Sequence, residues 1–169
     1  VDSTSINIAG NHFDKAIIDY IKNKYDLLIG EKTAEEIKIN LGTLNDINKD
    51  NTLEIKGRSI KDGMPKTVVI TEEEIKEALL PEIDKINIEI KKVLEKISPE
   101  LSSDIVDKGI IITGGGALLR GIADYIEDDI KIPIYIAENP LRCVAEGCGI
   151  MLIDSKYLEI LLNEIDNEI

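Results

Sequence analysis

Apolar residues recur at two spacings along this chain of 169 residues, and the spacings divide it into helices and strands. Residues 4 to 9 alternate enough to predict a strand, broken by Gly10-Asn11. Phe13, Ala16, Ile17, Tyr20 and Ile21 then fall three and four apart, which predicts an amphipathic helix to about Tyr25 with Asn11 as its N-cap. Thr33 and Glu36 have capping-box spacing, so a second helix is expected over Thr33–Leu41, stopped by Gly42. Residues 43 to 51 are polar and read as a loop. Thr52–Lys56 and Lys66–Ile70 are β-like runs joined by a turn-rich connection. Thr71 and Glu74 form another capping box, opening a helix to about Leu80. Pro81 then suits the first turn of a further helix, whose face is Ile83, Ile86, Ile90, Val93, Leu94 and Ile97. Ser98-Pro99 ends it, and a short helix is expected over residues 101 to 107.

The last third has a different rhythm. Gly109–Thr113 and Ile132–Ala137 are continuous apolar runs, as in strands buried on both faces. Gly114-Gly115-Gly116 follows the first, then a helical stretch from Leu118 to about Asp128. Asn139-Pro140 opens a helix expected to reach Ile153. Residues 154 to 169 are acidic and carry enough apolar positions for a final helix. This order predicts an α/β fold. Residues 1–42 and 98–153 form a larger α/β subdomain, 43–97 a smaller α+β subdomain inserted in it, and 154–169 an acidic helix or tail.

Charge narrows the possible functions. Twenty Lys and Arg against 33 Asp and Glu leave a net charge of −13, which disfavours nucleic acid and anionic lipid as partners. No apolar run approaches the roughly 20 residues that span a bilayer. Cys143 and Cys148 do not make a disulfide framework and have no metal-ligand partners nearby, so buried, reduced thiols in a cytosolic setting are expected. His12 is the single histidine. It reads as a surface or capping residue. No nucleophile–base–orienter set is present.

Two segments carry candidate chemistry. A strand that runs into Gly114-Gly115-Gly116 and then a helix lets backbone approach a flat or anionic ligand, with free N–H groups at the helix start. The same glycines would also serve as a tight packing turn. The sequence lacks the Gly-Lys-Ser/Thr of a P-loop and the full spacing of a dinucleotide fingerprint. The turn around Thr33-Ala34-Glu35-Glu36-Ile37-Lys38 is either a solvated helix start or a source of a carboxylate and an ammonium for sugar hydroxyls or a base edge.

Several stretches, in order, resemble the MreB family of bacterial actin-like cell-shape proteins. These are Ile8–Ile18, Tyr25–Lys38, Gly57-Arg58, Gly63–Thr67, Thr113–Gly121 and Ala137–Gly147, with Asn139 and Arg142 departing from the family's usual residues. The resemblance implies the C-terminal half of an actin-like (ribonuclease H-like) ATPase fold. It implies that Gly114, Gly115, Gly116, Ala117 and Leu118 lie against the adenosine of ATP, with Glu35, Glu36 and Lys38 near the ribose and base. It also implies Mg²⁺ with the nucleotide, self-association into protofilaments through the 43–97 block, and a cytoplasmic protein that meets the membrane through N-terminal elements. The family's phosphate loops and catalytic carboxylate have no counterpart in this sequence. The intact protein is therefore expected to be a slow ATPase, and this chain alone is expected not to hydrolyse ATP. An Hsp70-like chaperone, a sugar kinase and a non-enzymatic interaction module are the alternatives.

Overall fold

The computed structural model describes residues 3 to 153. The expected final helix over 154–169 lies outside them. Helix α1 spans Gly10–Tyr25, followed by β1 (Leu27–Leu28) and α2 (Glu31–Leu41). Strands β2 (Thr52–Ser59) and β3 (Pro65–Thr71) form a hairpin that leads into α3 (Glu72–Leu94). Then come α4 (Pro99–Lys108), β4 (Ile110–Ile112), a 3-10 turn (Gly115–Leu118), α5 (Ile122–Ile130), β5 (Ile134–Ile136) and α6 (Cys143–Ile153).

The first part is built on a three-stranded antiparallel sheet in the order β1-β2-β3. Leu27 pairs with Ser59, and Thr52 pairs with Thr71 across the hairpin. Helices α1, α2 and α3 pack together beside it. Their apolar stripes meet at Phe13, Ile17, Ile21, Ile37, Leu41, Ile75, Leu79 and Ile83, joined from the sheet by Leu27, Ile55 and Ile70, all buried. Burial of this kind stabilises by about 1.5–3 kcal/mol per large side chain. A polar seam ties α1 to α3: Tyr20 Oη donates to Glu77 at 2.6 Å, Tyr25 Oη to Glu74 at 2.5 Å, and Lys24 pairs with Glu74 at 2.9 Å. Burial and the Glu74 bond push the Tyr25 hydroxyl up to about 12.

The second part is a parallel pair, Ile110 opposite Ile134 and Ile112 opposite Ile136, with α5 packed on β5. Gly109 has a φ of +79°, and a Cβ there would stand 2.5 Å from Tyr135 Cε2 and 2.7 Å from Pro133 O, so the approach to β4 requires glycine.

Several expectations are corrected. Residues 4–9 form no strand. Ile6 and Ile8 keep the half-buried alternation, but their backbone finds no ladder partner among the described residues. Helix α1 starts at Gly10, so Asn11 lies inside the first turn, and the cap position Ala9 has no side-chain bond. Helix α2 likewise starts at Glu31 with Gly30 as its cap, because Gly30 O already accepts the Ala34 N–H at 3.1 Å. Thr33 therefore caps nothing. The Thr71–Glu74 capping box does form. Pro81 divides nothing either: α3 runs through it. Its ring is exposed, while Ala78, Leu79 and Ile83 stay buried on the other face. Packing on both sides of the proline outweighs its local cost of about 3 kcal/mol. Helix α4 is longer than expected, with Ser98 accepting the Leu101 N–H.

Strand β1 was not evident from the sequence, being two residues long and defined as a strand by its pairing with β2. The two apolar runs are shorter as strands and are not buried on both faces: Ile111 is 69% exposed and Tyr135 53%. Helix α6 begins at Cys143, after turns at 139–142. The cysteines are not buried as expected, since Cys143 is half-buried and Cys148 exposed.

Candidate functional site

The glycine run leaves β4 through Gly114, whose φ of +86° is open to glycine and strained for other residues. Gly114 N–H donates to Pro140 O at 2.7 Å, and Thr113 Oγ1 donates to the same carbonyl at 3.1 Å. These bonds fix the start of the turn against the 139–142 segment. The next residues wind as a 3-10 turn, not as the start of an α-helix. Ala117 N–H donates to Gly114 O and Leu119 N–H to Gly116 O. The N–H groups of Gly115 and Gly116 donate to no group among the described residues. The free donors expected of a helix N-terminus thus belong to a short turn.

The helix start is displaced because Arg120 is used as extended chain. It bridges Thr43 in parallel, and Leu44 N–H donates to Arg120 O at 2.7 Å. Gly121 then turns with a φ of +77°, and α5 begins at Ile122.

A cavity of about 750 Å³ opens beside this turn. One wall is the glycine turn itself, Thr113 to Arg120. The facing wall comes from α2 through Glu35, Lys38 and Ile39, and from α1 through Gly10, Phe13 and Asp14. Ile86 and Ile90 of α3 and Ile122 and Ile126 of α5 also line it. The structure thus brings Glu35, Lys38, Gly114, Gly115, Gly116, Ala117 and Leu118 to one space. Glu36 is not among the lining residues. It is exposed on α2, and its carbonyl accepts a bond from Asn40 Nδ2 at 2.7 Å. Lys38 is less free than the sequence suggests. Its ammonium pairs with Asp14 at 2.7 Å and donates to Gly10 O at 3.3 Å, which clips α2 to the start of α1.

Sequence reasoning passed over Phe13, Asp14 and Arg120. Asp14 carried a signal, as an acid placed directly after the buried Phe13 of an apolar stripe. Arg120 carried another, as one of three arginines in an arginine-poor chain, placed directly after the turn.

The cavity suits a flat group with a polar flank. It is mainly apolar, bounded by backbone on the glycine side and by Glu35 and Lys38 opposite. A Cβ on Gly116 would come 3.7 Å from Phe13 Cε2 and one on Gly115 3.5 Å from Leu141 Cδ2, so side chains there would narrow the space between the walls. Among the described residues, no three His, Cys, Asp or Glu side chains gather to hold a metal ion. No helix among them is long and apolar enough to cross a membrane.

Residues 1–160 match the family described as MreB/Mbl protein. The chain belongs to the MreB/Mbl family. It is 51% identical over 152 residues to the cell shape-determining protein Mbl of Bacillus cereus, covering 90% of this chain and 46% of that protein. It is 41% identical over 149 residues to the cell shape-determining protein MreB of Escherichia coli, covering 88% and 43%. MreB5 of Spiroplasma citri bound to ADP superposes with a TM-score of 0.86 at 43% identity, over 89% of this chain and 46% of that one. The same protein bound to AMPPNP gives 0.87 at 40%, over 100% and 49%. The MamK double helical filament, at 20% identity and a TM-score of 0.66, shares the fold. The chain thus spans about half the length of these relatives. The MreB/Mbl match establishes an α/β actin-like fold and supports neither the chaperone, nor the sugar kinase, nor the interaction-module alternative.

Proposed function

We propose that the full-length protein is an ATP-binding, filament-forming actin homologue of the bacterial cytoskeleton, acting in cell shape, and that this region supplies its adenosine contacts. One observation carries the reading. The segments singled out for base and ribose contact, far apart in sequence, face each other across one cavity in a fold whose relative MreB5 has been seen with ADP and AMPPNP. The glycine turn offers backbone and the N–H groups of Gly115 and Gly116 to the adenosine. Glu35 flanks the ribose side, and Lys38, held by Asp14, forms the wall beside it. Glu36, exposed on the next position of α2, serves the ribose only at the rim.

In this reading Mg²⁺ accompanies the phosphates and is held by groups other than those lining this cavity. The intact protein turns ATP over slowly. Subunits stack head to tail, a heterologous contact that makes filaments instead of closed rings. The filament works in the cytoplasm, at the membrane surface. Adding ADP or AMPPNP to the full-length protein while following light scattering against concentration tests this. Nucleotide binding with a critical concentration is expected. Binding without assembly would remove the filament, and no binding would remove the nucleotide.

A further inference from the structure

The two walls of the cavity come from separate parts of the chain, and one side chain reaches between them. Arg120 closes the glycine wall. Its Nε donates to Gly42 O at 3.1 Å, and its terminal nitrogen donates to Asn40 O at 3.3 Å. Both acceptors lie at the C-terminus of α2, where carbonyls have no partner within the helix and where a cation is favoured. The same terminal nitrogen pairs with Glu72 Oε1 at 2.7 Å.

Glu72 is anchored in its turn. It is 1% exposed at the first position of α3, where the helix dipole favours a carboxylate. It also accepts the Asn48 N–H at 2.8 Å and Asn51 Nδ2 at 2.6 Å. Burial raises its pKa, but these bonds and the guanidinium outweigh burial and hold the carboxyl below its usual range. The backbone repeats the join. Thr43 bridges Arg120, and a Cβ on Gly42 would stand 2.7 Å from Leu119 Cδ1. A Cβ on Gly121 would stand 2.1 Å from Asn45 Oδ1. The end of α2 and the end of the glycine turn therefore meet without spare room.

We infer that Arg120, braced by the buried Glu72, is a positioning residue that sets the spacing between the α2 wall and the glycine wall of the cavity. It acts on ligand through those walls and not by its own charge. The inference rests on the nucleotide reading above for its ligand, while the brace itself is a property of the chain.

Two measurements separate these. Hydrogen exchange on the nucleotide-free full-length protein tests the brace. Arg120→Ala is expected to speed exchange at Gly42, Leu44 and Leu119 together while leaving α4 unchanged. Unchanged exchange at those amides would overturn the inference. Calorimetric titration of the full-length protein then tests positioning with adenosine, ADP and AMPPNP. Arg120→Ala and Arg120→Lys are both expected to weaken all three by a similar factor of about tenfold. Lysine should not rescue affinity, because it keeps the charge but cannot reach three acceptors at once, and stoichiometry should stay at the wild-type value. A loss confined to ADP and AMPPNP, or rescued by lysine, would show direct contact with phosphate and overturn positioning. A fall in stoichiometry with unchanged affinity would show that Arg120 serves folding alone, which also overturns it. Wild type that binds no nucleotide, with the exchange result intact, would remove the ligand reading and leave the brace standing.

Discussion

The part built from α1, α2, α3 and the three-stranded sheet differs from the part built on β4, β5 and α6. In the first, the helices bury their stripes on each other, and Ile17, Ile37, Leu79 and Ile83 are fully covered. In the second, Ile111 of β4 and Tyr135 and Ile136 of β5 are exposed, and α6 has no buried residue. Both parts carry many apolar residues in sequence. The first satisfies its pattern internally, whereas the second presents an apolar face that the described residues do not cover. The candidate site lies at the seam, with α1 and α2 from the first part facing the glycine turn of the second. Its two walls should therefore differ in rigidity.

That contrast can be broken by mutation. Leu79→Ala should cost about 3 kcal/mol, as expected for a fully buried leucine, whereas Ile111→Ser should change stability by under about 0.5 kcal/mol. Urea denaturation of the two variants compares them, and similar losses would abolish the distinction. The next effect sharpens the comparison by finding a tight point inside the open part. Gly109→Ala should cost about 2 kcal/mol, from positive φ and the clash with Tyr135 and Pro133. An unchanged melting temperature would mean that the approach to β4 has slack.

A smaller effect lies at the join between sheet and α3. Thr71 Oγ1 accepts the Glu74 N–H, and Glu74 accepts the Thr71 N–H at 2.8 Å. Thr71→Ala should lose about 1 kcal/mol, read by thermal melting, and no loss would mean that the box contributes nothing beyond the packing around it. The smallest is a pH effect at Glu72. Its folded pKa lies below its unfolded value, so its contribution is present above the unfolded pKa and lost as pH falls through the folded one. The stability gap between wild type and Glu72→Gln should therefore be wider at pH 7 than at pH 3. An equal gap at both would show that the carboxylate charge is not what stabilises.

The difference between the two parts also explains what the sequence could show. Periodicity located α1, α2 and α3, because their stripes are buried by neighbours within the same chain. The Thr71–Glu74 box was legible because both its bonds are local. The box at Thr33 was not formed, since the helix ladder had already started at Gly30, and only tertiary placement decides that. Pro81 misled for the same reason: burial of Leu79 and Ile83 overrode a local breaker. In the second part the apolar runs were found as strands, but their exposure was not. Apolarity records that a face is suited to cover and does not say that this chain supplies it.

At the site, the glycine turn and the Glu35–Lys38 segment were legible as separate candidates. That they line one cavity, and that Lys38 is held by Asp14, depended on how α1 and α2 pack. Arg120 stood out locally as a scarce arginine after the glycine turn, but its bracing role was not legible, because its acceptors lie about 50 to 80 residues away in sequence.

The proposed nucleotide site lies between the glycine turn and α2. Hydrogen exchange of the full-length protein with and without ADP tests it most directly. ADP is expected to slow exchange in Glu35–Leu41 and in Gly114–Leu119 together, and to leave the β2–β3 hairpin unchanged. Protection of neither segment, or of one without the other, would contradict it.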